Sequence, residues 1–162
     1  MSQETFERLI SLFDTHNANY RVVAHEAAGS SDIVAKIRGT ELGQGAKAMI
    51  CRVKISSHQH IYVHAVIPGD RQVDFHKIAA IAQGKKASLA TPEEAQNLTD
   101  CVMGAVPPVS FNPDVMLVVD ETLIARNQEI AFNAGLHERS IIIQTQDYLE
   151  AVKPKLASII KD

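Results

Sequence analysis

Apolar residues follow two periods along this chain, and the period changes often. Between residues 3 and 16, Phe6, Leu9, Ile10 and Phe13 fall three and four positions apart, which lines one face of an amphipathic helix. Residues 20–24 read as a strand. A helix capped by Ser30 or Ser31 runs through Lys36, with Ile33, Val34 and Ile37 turned inward. After Gly39, Gly43 and Gly45, a flexible approach, the period drops to two. Lys47 alternates with Met49, Cys51 and Val53, while Ala46, Ala48 and Ile50 make a second apolar face. Such a strand is covered on both sides. Residues 56–59 form a turn, and residues 60–67 alternate cleanly as the hairpin partner.

Asp74 starts a helix to about Gln83, with Gly84 as its stop, and residues 86–90 form a short strand. Thr91, Pro92 and Glu94 are the strongest local signal: a capping threonine, proline at the first helical position, glutamate at the third. That helix ends near Thr99. The stretch 104–113 contains Pro107, Pro108 and Pro113, so it is neither helix nor central strand. Strands follow at 115–119, 129–133 and 140–144, and Asp120 with Glu121 begins a turn. Thr145 caps a last helix that Pro154 kinks or restarts. Interleaved strands and helices with one hairpin predict a mixed sheet in an α/β or α+β fold.

At 162 residues the chain reads as a single domain, 1–162, with a mainly aliphatic core because it has no tryptophan. No apolar run reaches membrane-spanning length, and Met1 to Glu4 carry no basic segment before an apolar one. A cytoplasmic protein without membrane contact is expected. Cys51 and Cys101 are far apart in apolar surroundings, which fits a reduced compartment and structural thiols. A net charge of -3 rules out a broad basic grip on nucleic acid. Basic residues gather only locally, Lys36 with Arg38, Arg52 with Lys54 and Lys85 with Lys86, and these serve equally well as solvated surface.

A lysine on a doubly covered strand must reach water, meet an anion, or serve a pocket that needs its charge. The glycines before Lys47 invite two nucleotide readings that fail. Ala46 and Ala48 flank the lysine where a phosphate-binding loop needs glycine and a hydroxyl, and a dinucleotide fingerprint would open a helix, not a strand. His58, His60 and His64 lack a carboxylate or cysteine nearby to complete a metal site, and they read as a polar, solvent-facing or pocket-rim side of the hairpin. His25 stands at a strand end, either structural or at a pocket border. In Gly104, Ala105, Val106, Pro107 and Pro108, glycine permits close approach and the prolines stiffen. The remaining N–H groups of such a loop can bind a carbonyl oxygen or oxyanion, though an ordinary surface loop has the same composition.

The Lys47 strand resembles the signature of the YbaK family of aminoacyl-tRNA deacylases, whose fold also occurs as the proline-editing domain of bacterial prolyl-tRNA synthetases. Residues 65–74, the G-x-x-x-P loop at 104–108, the run Val118 to Glu121 and residues 130–135 are similar to the family's later segments, in its order. The likeness covers roughly residues 20–149 and is nearest the stand-alone, YeaK-type members. It implies a curved mixed sheet or partial barrel wrapped by helices. It also implies hydrolysis of the ester between a wrong, small amino acid (alanine, serine, cysteine or threonine) and the 3′ end of tRNA. Catalysis would rest on Lys47, Gly104 and Pro108. Substrate contacts would come from His25, Gly45, Ala105, Val106, Pro107, Asp120, Asn133 and Gly135, with Asp120 holding the substrate ammonium or orienting Lys47. No metal, cofactor or protein nucleophile is implied. The partners are mischarged tRNA and a synthetase, for a monomer or weak homodimer. The family's proline-editing members carry a histidine where this chain has residues 132–135, which leaves the amino acid open. A binding module for tRNA ends or a synthetase, and a small-molecule hydrolase, are the rival readings.

Overall fold

The stripe at the N-terminus is the buried face of helix α1 (Ser2–Thr15), with Leu9 and Phe13 fully enclosed and Phe6 and Ile10 partly so. The computed structural model describes residues 2–27 and 31–162. Strand β1 (Tyr20–Ala24) and helix α2 (Ser31–Arg38) follow. The hairpin of β2 (Ala46–Lys54) and β3 (His60–Pro68) is antiparallel, pairing Lys47 with Ile67 and Lys54 with His60.

Two sheets form from strands with different partners. Beyond the hairpin come helix α3 (Phe75–Ile81), strand β4 (Lys86–Leu89), helix α4 (Pro92–Thr99) and strand β5 (Val115–Asp120). Helix α5 (Glu121–Arg126), strands β6 (Glu129–Asn133) and β7 (Arg139–Gln144), helix α6 (Thr145–Val152) and strand β8 (Lys155–Ala157) complete the order. One sheet runs β1-β7-β6 and the other β4-β2-β3-β5-β8, with β5 parallel to both β3 and β8. This is the mixed α/β fold that the sequence predicts. Its strands divide between two sheets that touch at a Gly45–Ala131 bridge, and no barrel closes.

The hairpin is covered on both faces, as its two apolar sets require. Ala46 and Val66 pack with Phe132, Ile141, Ile143 and α1, while Cys51, Val53, Ala65 and Ile67 pack on Ile78 and Ala79 of α3. Because β4 pairs only with Cys51 to Lys54, the outer edge of β2 carries no strand from Ala46 to Ile50. That gap is where the site lies.

Local signals explain the starts of three helices. Asp74 caps α3 by accepting from the His76 and Lys77 N–H groups. Thr91 and Glu94 form the expected reciprocal capping box, and Glu94 also accepts from the Tyr62 hydroxyl, tying α4 to β3. Helix α5 was not expected: the Asp120 carboxylate caps it through the Thr122 N–H and also accepts from the Ile159 N–H.

Several expectations are corrected. Helix α2 turns Val34 and Ala35 inward and leaves Ile33 and Ile37 exposed, and the cap expected from the side chain of Ser30 or Ser31 lies outside the described residues. Thr145 is the first residue of α6, not its cap, and its hydroxyl donates to the Asn127 carbonyl. Pro154 follows a left-handed Lys153 and leads into β8, so no helix restarts there. His64 is enclosed instead of facing solvent. Nor is the approach to β2 loose. It contains a tight turn, Leu42–Gln44, and a Cβ on Gly43 would stand 2.4 Å from Arg126 Nη2, which is held by Asp70. At the end of α3 it is Gln83 that takes the positive φ. Gly84 is needed for close approach, since a Cβ there would lie 2.3 Å from Val53 Cγ1 and 3.0 Å from the Lys54 carbonyl oxygen. Gly84→Ala therefore overpacks the α3–β2 contact, and urea unfolding should show a loss of roughly 1–3 kcal/mol.

Candidate functional site

The strandless edge of β2 forms one wall of a cavity of about 310 Å³. Val34, Ala48, Met49, Ile50 and Phe132 make it largely apolar, and Arg38, Lys47 and Asn133 are its polar side chains. Gly45 also lines it, and Gly104 and Val106 bring the proline loop to the same cavity. Among the described residues no carboxylate, histidine or cysteine lines it. Cys51 is fully enclosed and burial pushes its thiol up to about 12, while burial also raises Cys101, so neither supplies a thiolate.

The 104–108 loop is fastened by its carbonyls. Gly104 O accepts from Asn133 Nδ2 at 2.7 Å, Ala105 O from the Gly135 N–H at 2.9 Å, Pro107 O from His64 Nε2 at 2.9 Å, and Pro108 O from the Tyr148 hydroxyl. Its donors are few. Both prolines lack an N–H, and the Ala105 N–H closes a turn onto the Val102 carbonyl. The N–H groups of Gly104 and Val106 donate to nothing among the described residues, and both residues line the cavity. A rigid loop with two unspent donors beside an apolar cavity can hold an oxyanion.

Of the residues singled out from the sequence, Lys47, Gly45, Gly104, Val106 and Asn133 converge on this cavity. Ala105, Pro107 and Pro108 belong to the loop but lie outside the lining, and Gly135 holds the loop from behind through its N–H to the Ala105 carbonyl. His25 is one step removed: its Nε2 lies 2.7 Å from Ser140 Oγ, which donates to Asn133 Oδ1. Asp120 is fully buried at the α5 cap, bonded to Thr122 and Ile159, and lies outside the lining. It is in no position there to take a substrate ammonium. Among the described residues no group of three or more His, Cys, Asp or Glu is placed to hold a metal ion, and no helix is long and apolar enough to cross a membrane.

Sequence reasoning passed over Arg38 as part of a basic surface pair. The helical period holds the missed signal, because Arg38 falls four after Val34 and three after Ala35, on the inward face, whereas Lys36 is exposed. The anchoring role of His64 had no comparable signal. Its partner, the Pro107 carbonyl, is 43 residues away.

Known proteins share this arrangement of chain. The sequence model of the family described as the aminoacyl-tRNA editing domain matches residues 25–151. A multifunctional Ser/Thr-tRNA deacylase, ProXp-y, of Escherichia coli (strain K12) is 47% identical over 155 residues, covering 95% of this chain and 92% of the relative. A proline--tRNA ligase of Geobacillus thermodenitrificans (strain NG80-2) is 27% identical over 64 residues, 40% of this chain and 11% of the ligase. A solved structure described as a candidate trans-editing enzyme for prolyl tRNA synthetase superposes with a TM-score of 0.79 at 22% identity, over 98% of each chain, and supports the fold alone. The chain belongs to the aminoacyl-tRNA editing domain family.

Proposed function

We propose that this protein is a trans-editing aminoacyl-tRNA deacylase, a hydrolase acting as a single domain on the ester between a small, wrongly attached amino acid and the 3′-terminal ribose of tRNA. The observation that carries the reading is the pair of unspent N–H groups, Gly104 and Val106, on a loop whose carbonyls are fastened from behind. Family membership and the 47% identity to a Ser/Thr-tRNA deacylase support the reaction class and put serine and threonine first, ahead of alanine and cysteine.

The chemistry asks little of the side chains. An aminoacyl ester is already activated, so positioning and oxyanion stabilisation supply most of the rate. Lys47 contacts the terminal adenosine or its phosphate, and the Gly104 and Val106 N–H groups receive the carbonyl oxygen as it becomes an oxyanion. Among the described residues no histidine, carboxylate or thiol lines the cavity, which favours attack by water or a hydroxyl of the substrate itself. Discrimination by size excludes large side chains sterically, whereas choice among small ones amounts to roughly 1–3 kcal/mol.

The acceptor end alone is held. Arg52, Lys54, Lys85 and Lys86 are exposed and adjacent across β2 and β4, with Lys54 directly opposite Lys86. Like charges across a ladder are unfavourable by themselves and fit a phosphate partner beyond the cavity.

The test is release of labelled amino acid from a panel of mischarged tRNAs. Wild type is expected to release serine or threonine rapidly. Lys47→Ala should lower kcat/KM by roughly 10- to 100-fold, the worth of one charge-assisted contact. No release from any charged tRNA, with tRNA binding intact, would leave a binding module in its place.

A further inference from the structure

The described lining of the cavity contains two full positive charges and no negative one. Arg38 reaches it from the last turn of α2. Its Nη1 donates to Ser140 Oγ at 3.3 Å, and its Nη2 lies beside Gly45, 3.4 Å from where a Cβ on that residue would stand. Its Nε is buried without a hydrogen-bond partner, and among the described residues the guanidinium makes no ion pair. Burial alone acts on it, lowering its pKa to about 10, and it stays fully charged at neutral pH.

A buried, unpaired guanidinium is costly, and it persists where a ligand completes it. Nη1 is committed to Ser140, which leaves the edge formed by Nε and Nη2. That edge presents two parallel N–H groups, the geometry that binds two oxygens of one phosphate. In an aminoacyl-tRNA the α-amino group is cationic, and the reacting ester and ribose are neutral. The nearest anion to the ester is the phosphodiester on the 5′ side of the terminal adenosine.

We propose that Arg38 binds this terminal phosphodiester side-on through Nε and Nη2, and that this contact seats the adenosine so that the ester meets the 104–108 loop. The inference deepens the editing reading and rests on it for the identity of the phosphate's owner. It separates the two cations. Arg38 is the fixed fork, held by Ser140, and Lys47 is the point charge on the strand edge.

The test needs no turnover. Affinities are measured for the dinucleotide cytidylyl-(3′→5′)-adenosine, for its neutral methylphosphonate analogue and for inorganic phosphate, on wild type, Arg38→Gln and Arg38→Lys. Wild type should bind the phosphodiester roughly 10- to 100-fold more tightly than the methylphosphonate, as a charge-assisted bidentate pair implies. Arg38→Gln should bind the two equally, and Arg38→Lys, with the charge but not the fork, should fall between. Inorganic phosphate should bind far more weakly than the dinucleotide. Equal binding of the two dinucleotides by wild type, discrimination that survives in Arg38→Gln, phosphate binding as tightly as the dinucleotide, or no dinucleotide binding would each overturn the proposal. The comparison on wild type stands even if the variants fail to fold. Hydrolysis of the mischarged panel is scored separately. Dinucleotide discrimination without hydrolysis would sink the editing reading and leave the anion site, and hydrolysis without discrimination would do the reverse.

Discussion

Replacing Val106 by its α-hydroxy analogue, so that the peptide N–H becomes an ester oxygen, is expected to lower kcat by roughly 100- to 1,000-fold while KM changes little. The substitution deletes one donor and keeps the side chain in place. Its size follows from what the donor faces. In the ground state the N–H meets a neutral carbonyl. In the transition state it meets a developing oxyanion inside a largely apolar cavity, where the interaction is far stronger than in water. An interaction that strengthens only in the transition state raises kcat, which is why the loss should appear there. The Val106 N–H donates to no protein group among the described residues, so its removal breaks no bond outright; the ester does make the Ala105 carbonyl a weaker acceptor from the Gly135 N–H, at a cost of about 1 kcal/mol. The unfolding midpoint should stay within a few degrees of wild type. The measurement is single-turnover hydrolysis of seryl-tRNA with saturating enzyme. An unchanged rate constant would show that the loop N–H groups do not hold the oxyanion. A large rise in KM alone would assign them to ground-state binding.

How much of this was legible before any coordinates depends on whether the signal was local. The capping box of α4 sits within four consecutive residues, and it formed as read. The β2–β3 hairpin was equally plain, because its strands alternate and a short turn joins them. The rigid character of the proline loop follows from composition, but its function depends on which N–H groups are left over. That is decided by Asn133, Gly135, His64 and Tyr148 capturing the carbonyls from two strands, a loop and a helix. No window of sequence contains that information. The same holds for Asp120, which reads as a polar residue at a strand end and proves to be a buried cap because Thr122 and Ile159 both reach its carboxylate. Gly84 misled for a subtler reason. Glycine after a helix signals a left-handed stop, yet here Gln83 takes the positive φ and the glycine serves close packing. Arg38 shows the cost of reading charge clusters by adjacency: Lys36 and Arg38 are neighbours in sequence but lie on different faces of one turn.

The second large effect is acid sensitivity traceable to His64. Its ring is 1% exposed on β3, its Nε2–H donates to the Pro107 carbonyl, and its Nδ1 has no hydrogen-bond partner. Burial lowers its pKa from 6.5 to about 4, opposed only by the bond to Pro107. Above pH 6.5 the residue is neutral whether the chain is folded or not, and it exacts no penalty. Between pH 6.5 and about 4 the unfolded chain takes up a proton that the folded protein refuses, so stability falls as pH falls. At about 1.4 kcal/mol per pH unit, the gap amounts to roughly 3 kcal/mol, complete near pH 4. His64→Phe keeps an aromatic ring in place but leaves the Pro107 carbonyl unpaired, which should cost roughly 1–3 kcal/mol at pH 7. The variant starts less stable, yet it lacks this titration. Wild type's advantage should therefore shrink on acidification and vanish or reverse by pH 4. Glu4, Arg8 and Asp100 line the cleft beside His64, and hydrogen bonds hold the Asp70 and Glu94 carboxyls below their usual range; all five are common to both proteins, so their contributions cancel in the difference. Urea unfolding at pH 7, 5.5 and 4.5 reads that difference directly. Two stability curves that stay parallel across this range would show that His64 takes up its proton while folded, and would remove it as the neutral anchor of the loop.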